Sequence, residues 1–334
     1  MLGFLTRRVL YGIFTLWVLS IVSFLVITLP PGDFVDMYVE TLVGEAGVGT
    51  PAGDKIEEVI RAEYGLDKPV MVQYGKWMLK VVRGNFGISV EFNRPVLEVV
   101  SDKLLLTVIV AVATIVLTWF AAIPIGIYSA VRNHSIEDYS LTFLGFLGLA
   151  IPDFLLALML MWIGYFYFDF SVGGLFTREY AGANVPWTMG KVVDLLAHLW
   201  IPAIVLGTSG TAAIIRIMRA NLLDELSKPY VVTARAKGLH EWKAVMKYPV
   251  RVALNPILSL SAYIFPVLIS GSIIVSVVLG LPTVGPLLLR ALLAEDLFMA
   301  SSIVLMLGGM TVLGTIVSDI LLVIADPRIR MVNQ

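Results

Sequence analysis

The chain has 334 residues, of which 58% are hydrophobic and 15% charged, with a mean hydropathy of +0.88. A soluble domain carries about 25% charged residues, so this is the composition of an integral membrane protein. Its 24 Lys and Arg against 25 Asp and Glu give no net positive field to attract nucleic acid. The absence of Cys excludes disulfides, thiolate metal sites, iron–sulfur clusters and Cys nucleophiles, and three His leave little scope for an imidazole cluster.

A bilayer core about 30 Å thick needs roughly 20 apolar residues in helix, so the distances between consecutive charged residues locate the spans. There are 24 uncharged residues between Arg8 and Asp33, 28 between Lys103 and Arg132, and 21 between Asp194 and Arg216. Asp138 to Asp169 encloses 30 residues broken only by Asp153, Arg251 to Arg290 encloses 38, and Asp296 to Asp326 encloses 29 broken only by Asp319. Six transmembrane helices are therefore predicted, in an all-α protein, because at this apolarity helices alone satisfy the backbone without a barrel's alternating pattern. The first run is too long for a signal-peptide core and reads as a retained helix.

Six spans place both ends of the chain on one side. That side collects Arg7, Arg8, Arg132, Arg328, Arg330 and the segment 216–251, which carries eight basic residues against Asp224, Glu225 and Glu241. The excess of Lys and Arg predicts that both termini are cytoplasmic. The organisation expected is a tip and first helix over 1–30, an extracytoplasmic helical segment over 31–102, a five-helix core over 103–325 with the inner loop 216–251, and a cytoplasmic tail over 326–334.

In the outer segment, Ile56, Val59, Ile60 and Tyr64 have helical spacing and stop at Gly65, and Pro69 opens a second helical pattern through Trp77. Two short amphipathic helices follow, either a cap on the bundle or a docking surface for an outer partner. In the inner loop, Pro229 suits a helix start, Ala234 and Ala236 permit close approach by another protein, and Gly238 suits a helix end. The expectation is a protruding helical knob.

Several strings occur in a fixed order: Pro30-Pro31-Gly32-Asp33, Gly65-Leu66-Asp67-Lys68-Pro69, Gly84-Asn85-Phe86-Gly87-Ile88-Ser89, Thr233-Ala234-Arg235-Ala236-Lys237-Gly238 with its spacing to Asn255-Pro256, and Asp326-Pro327-Arg328. On these, the chain resembles, end to end, the inner-membrane permease subunits of dipeptide/oligopeptide ATP-binding-cassette (ABC) importers, with the type I permease fold. The resemblance implies that 221–245 is a coupling loop seated on a cytoplasmic ATPase through Tyr230, Thr233, Ala234, Arg235, Ala236, Lys237, Gly238 and Leu239. It further implies a second homologous permease, two ATPase subunits that bind ATP and Mg, an extracytoplasmic solute-binding protein, and residence in a bacterial or archaeal inner membrane. This chain would itself hold no cofactor. It has no Gly-x-x-x-x-Gly-Lys-Ser/Thr phosphate loop, so it is not the ATPase and is a non-catalytic subunit.

The sequence departs from the family at two places. After the fifth span a Glu-x-x-Phe-x-x-Pro-Gly pattern is expected, but Ser276, Leu279, Pro282 and Thr283 stand there, and Asn85 replaces an Asp. Fewer charges near an outer gate would suit a neutral solute such as an oligosaccharide better than a zwitterionic peptide, and the aromatic run from Trp162 to Phe170 would either stack on sugars or form an interfacial belt. Asp153, counted as about 20 Å along a straight helix from Tyr139, would lie within the bilayer core and either line a pathway or cap a kink at Pro152. Together with Ser276 and Asp319 it forms the candidate substrate path. A carboxylate-pair protease and an ATP-independent channel or secondary transporter are the readings from other classes.

Overall fold

The computed structural model of the chain describes residues 2–28, 50–64, 68–168, 173–182 and 185–325, with the side chains of 2–5, 261–271 and several other helical positions left aside. The sequence motifs at 30–33, 65–67 and 326–330 lie outside the described residues. Thirteen helices and one two-stranded hairpin are formed among the described residues. They fall into two compact units.

The first unit comprises residues 6–105 and 283–312. It holds most of α1 (Leu2–Thr28), all of α2 (Pro51–Tyr64), α3 (Val70–Val82), β1 (Ile88–Ser89) and β2 (Arg94–Pro95), and the start of α4 (Val96–Val131). It also holds α12 (Val284–Leu293) and the first half of α13 (Leu297–Ala325). The two expected outer helices are thus present as α2 and α3. Tyr74 and Trp77 of α3 pack on Phe24 of α1 at ring centroid distances of 5.5 and 5.8 Å, and the Tyr74 and Ser20 hydroxyls are hydrogen-bonded at 2.7 Å. α1 and α13 touch through missing side chains, since a Cβ on Gly308 would lie 2.4 Å from Leu19 and one on Gly12 would lie 2.6 Å from Val312. Small residues at such crossings let helix backbones approach where lipid supplies no hydrophobic drive.

The hairpin β1–β2 explains the Gly-Asn-Phe-Gly-x-Ser string. The Asn85 side chain accepts from the Gly87 N–H at 3.0 Å, Gly87 sits at φ +91°, and Ser89 donates to Asp296 at 2.5 Å. Asp296, wholly buried, also accepts from the N–H groups of Glu91 and Met299, so one carboxylate ties the hairpin to the start of α13. Arg290 of α12 adds an ion pair to Glu91 and lies 4.8 Å over the Phe92 ring.

The second unit comprises residues 1–5, 106–282 and 313–334. It holds the rest of α4, α5 (Ile136–Ala150), α6 (Asp153–Phe168), α7 (Met189–Leu226), α8 (Pro229–Ala236), α9 (Glu241–Lys247), α10 (Pro249–Ala253), α11 (Asn255–Val278) and the end of α13. α7 is its hub and packs on α5, α6, α10 and α11. One core joins Leu106, Val110, Ala157, Leu199, Val205, Val275 and Leu279. Another joins Ala122, Ile127, Ile214, Met218 and Leu222 to Val245, Val250 and Ile257. α4 meets α7 closely at Gly126, where a Cβ would lie 2.7 Å from that of Met218.

By length and apolarity α1, α4, α7 and α13 can each cross a membrane, and α5 with α6 forms a fifth candidate bent by 98°. The bend corrects the straight count that put Asp153 about 20 Å from Tyr139. Pro152 lacks the N–H that would continue α5 and holds Ile151 extended at ψ 121°, so the chain turns before Asp153 opens α6. α11 is 24 residues long, with the side chains of 261–271 outside the described residues.

Candidate functional site: the helical knob between α7 and α11

The knob begins where α7 ends, with Ser227 as C-cap and its hydroxyl donating to the Asp224 carbonyl at 2.8 Å. Pro229 occupies the first turn of α8, where its missing N–H has no intrahelical partner to lose and its fixed φ favours a helix. Eight residues later the helix is closed by a two-bond cap. The Leu239 N–H reaches the Ala234 carbonyl at 3.4 Å and the Gly238 N–H reaches the Arg235 carbonyl at 2.9 Å, with Gly238 at φ +78°. This is the Schellman arrangement, and glycine is the residue that enters the left-handed region without steric cost. His240 then starts α9.

Two side-chain contacts hold the turn from outside. Arg235 grips Glu241 with both ends of its guanidinium, Nε to Oε2 at 2.9 Å and a terminal nitrogen to Oε1 at 2.6 Å. Tyr230 donates to Glu225 across the α7–α8 junction. The Arg235 fork holds the Glu241 carboxyl below its ordinary value of 4.5 and raises the guanidinium further. A depressed carboxyl pKa stabilises the fold above the unfolded value and ceases to do so as pH falls through the folded one. The pair should therefore be intact at neutral pH and open only below about pH 4.5. A carbon-13 titration of the Glu241 carboxyl should show a midpoint under 4.5 that returns toward it in Arg235→Gln.

Side-chain exposure divides α8 into two faces. Val231 is 0% exposed and Ala234 6% exposed, so both turn into the protein. Tyr230, Val232, Thr233, Arg235, Ala236, Lys237 and Gly238 are exposed, and Leu239 is half-buried. Ala234, expected as a surface for a partner's approach, instead serves the knob's own packing. Arg235, expected to meet the ATPase, is engaged by Glu241. Trp242 and Met246 of α9 add exposed apolar surface that the sequence reading passed over. The signal for them is a large aromatic residue isolated in the polar run Glu241-Trp242-Lys243.

Beneath the knob, Val245, Val250 and Ala253 enter the core formed with α4 and α7. Val245 and Val250 each contribute about 1.5–3 kcal/mol on full burial from water. A second anchor, also missed in the sequence, is Asp138. Its carboxylate is 1% exposed, receives Arg219 of α7 through Nε and a terminal nitrogen, both at 2.8 Å, and also accepts from the Ser129 hydroxyl and the His134 N–H. Arg219 further donates to Asn133 at 2.7 Å. The local signal was Ser135-x-x-Asp138, a helix-capping pattern in which the Ser135 hydroxyl accepts from the Asp138 N–H at 3.1 Å. The α4–α5 turn is thereby clamped to the segment of α7 that leads into the knob.

The three residues expected along a substrate path lie on three different helices, α6, α11 and α13. Ser276 is buried at the end of α11, where its carbonyl accepts from the Leu281 N–H at 2.8 Å. Asp319 is buried in α13, beside Ser318, whose hydroxyl donates to the Leu258 carbonyl at 2.6 Å. Asp153 is half-buried at the start of α6 and is hydrogen-bonded by Ser209 of α7. Of the outer aromatic run, Trp162 and Phe166 stack at 5.4 Å and are exposed with Tyr165 and Tyr167, while Phe170 lies outside the described residues. No group of three His, Asp or Glu among the described residues could hold a metal ion.

Comparison with known proteins agrees with this architecture. Residues 122–331 match the family described as binding-protein-dependent transport system inner membrane component, and residues 1–111 match the N-terminal region described for the same kind of component. The chain is 33% identical over 332 residues to a putative peptide permease protein of Brucella ovis, covering 99% of this chain and 100% of that one. It is 32% identical over 336 residues to the oligopeptide transport system permease protein AppB of Bacillus subtilis, again covering 99% and 100%. A probable peptide ABC transporter permease protein of Sinorhizobium fredii is 28% identical over 330 residues, covering 98% and 99%. With its apolar helices and a family match over most of its length, the chain is a multi-pass membrane protein that belongs to the family of binding-protein-dependent transport system inner membrane components.

Proposed function

We propose that this chain is one of two permease subunits of an ATP-driven importer that receives peptides from an extracytoplasmic binding protein. The observation that carries the reading is the knob, a capped pair of short helices with an exposed apolar and basic face, rooted in the core between α7 and α11. A protrusion of that kind turns a push on its surface into rotation of the helices behind it. The partner surface is a groove on a cytoplasmic ATPase, which binds ATP and Mg, and residues 221–245 are the contact. A membrane subunit so rooted swings between outward-open and inward-open states as nucleotide is bound and released.

On this reading α11 is the sixth span, beside α1, α4, the bent α5–α6 pair, α7 and α13, and both termini lie on the cytoplasmic side with the knob. The outer helices α2 and α3 and the hairpin face the binding protein. The names of the similar proteins favour peptide over oligosaccharide as cargo. Mild-detergent purification of the chain should recover a second permease and ATPases. Proteoliposomes holding that complex should accumulate peptide only with ATP inside the nucleotide compartment and loaded binding protein outside. ATP-independent uptake would instead make the chain a channel or secondary transporter.

A further inference from the structure

The short helix α9 divides into an inner and an outer side. Ala244 and Val245 are 0% and 1% exposed and turn into the core, whereas Trp242 and Met246 are 52% and 43% exposed. Residues four apart are neighbours on a helix surface, so these two form one apolar patch rather than scattered side chains. The Arg235–Glu241 fork brings the start of α9 against the end of α8, which places Trp242 at the tip of the knob. The root lies at the other side, where Val245 and Val250 enter the core.

The charge around this patch is of one sign. Glu241 is the one acid in the sequence from 227 to 247, and Arg235 already neutralises it. Lys237, Lys243 and Lys247 are exposed and make no ion pair among the described residues; Lys247 lies 5.3 Å over the Tyr248 ring. An apolar side chain ringed by unpaired lysines fits a partner with an apolar pocket and an acidic rim, since a buried Trp supplies affinity and rim charges supply encounter and register. Such a patch would also suit an anionic lipid surface. Its position favours protein, because α7 continues seven residues past Arg219, about 10 Å, before the knob begins, and Arg219 is itself tied to the α4–α5 turn.

We infer that Trp242 is the anchor by which the knob holds its ATPase, seated in an apolar pocket that offers an acceptor to the indole N–H and carries carboxylates facing Lys237, Lys243 and Lys247. A buried indole needs such an acceptor, which makes Trp selective as well as adhesive. α8 and its cap then fix the shape of the knob, and α9 supplies the grip. The inference rests on the importer reading given above and adds the chemistry of the partner's groove.

Two reagents test the two parts on the assembled complex in nanodiscs. Trp242→benzoylphenylalanine, when irradiated, should cross-link to a peptide of the ATPase, the subunit recognised by its Gly-x-x-x-x-Gly-Lys-Ser/Thr loop. A water-soluble carbodiimide, which joins an amine to a carboxylate in contact with it, should link Lys237 or Lys243 to Asp or Glu of the same subunit. Displacement of labelled ATPase by excess unlabelled ATPase should be at least about thirtyfold faster with Trp242→Ala, as for an interface hot spot, and less than about fivefold faster with Trp242→Phe. Cross-linking from 242 to lipid or to the second permease, or release from Trp242→Ala within about twofold of the unaltered complex, would overturn the anchor. Carbodiimide products confined to this chain would overturn the acidic rim. Val232→benzoylphenylalanine, at a position of α8 that is 57% exposed, separates the inference from the reading beneath it. An ATPase cross-linked from 232 and not from 242 removes the anchor alone. An ATPase that neither co-purifies nor cross-links from either position removes the importer reading as well.

Discussion

Gly238→Trp is expected to abolish stimulation of ATP hydrolysis by loaded binding protein in the assembled complex, while Gly238→Asn leaves it near the wild-type level. Two separate effects act at this position. Gly238 has φ +78°, where an ordinary side chain costs about 1–2 kcal/mol and Asn is the best tolerated replacement. Yet a Cβ there would meet nothing within 4 Å, so the folded chain has room for a side chain. Strain alone therefore predicts graded losses, with Gly238→Ala weakening the α8 cap by about 1 kcal/mol. A bulky group adds something different, because it projects from an exposed position of the knob into whatever docks there. Substrate-independent ATPase activity should persist in Gly238→Trp, since nothing in the nucleotide sites changes. Intact coupling in that variant would remove Gly238 from the ATPase interface and leave it as a cap only.

The knob was legible in the sequence because its boundaries are written locally. Pro229 and Gly238 act through their own backbones, at N1 and at the left-handed cap, and no distant partner is needed to read them. The apolar runs were legible for the same reason, since burial in lipid depends on the run itself. The bent α5–α6 pair shows the limit of that logic. Apolarity continues across Ile151 and Pro152, so counting charges gives one span, whereas the backbone at that proline gives two helices at 98°.

Which face of each helix turns inward could not be read in advance. Ala234 and Ala236 are equivalent as small residues in the string, and only the packing of α8 on α9 makes one buried and the other exposed. Arg235 was ambiguous until Glu241, six residues away and beyond the glycine turn, was brought back to it. Asn85 looked like a loss of an acid. In the fold it does an acid's local work by accepting from the Gly87 N–H, while the buried carboxylate of that region comes from Asp296, more than 200 residues later.

The clamp between Asp138 and Arg219 joins residues 81 apart in the chain, and it carries the largest stability effect expected. Asp138→Leu leaves the Arg219 guanidinium without its carboxylate and leaves the Ser129 hydroxyl and His134 N–H without an acceptor. Breaking a buried pair from one side costs about 3–5 kcal/mol, and the 28% exposure of the Arg219 side chain places this case near the lower figure, about 3 kcal/mol. Arg219→Met should be milder, since Asp138 keeps two donors. The double variant Asp138→Leu with Arg219→Met should be more stable than Asp138→Leu alone, because removing both charges also removes the cost of leaving one unpaired. Thermal unfolding of the purified complex followed through this chain would measure the order. If the double variant is the least stable of the three, the pair is additive and the clamp is not a unit. Stability and coupling should also separate. The double variant retains a packed α4–α5 turn but no longer fixes it to the segment of α7 that enters the knob, so its stimulated ATP hydrolysis should fall further than its melting temperature implies.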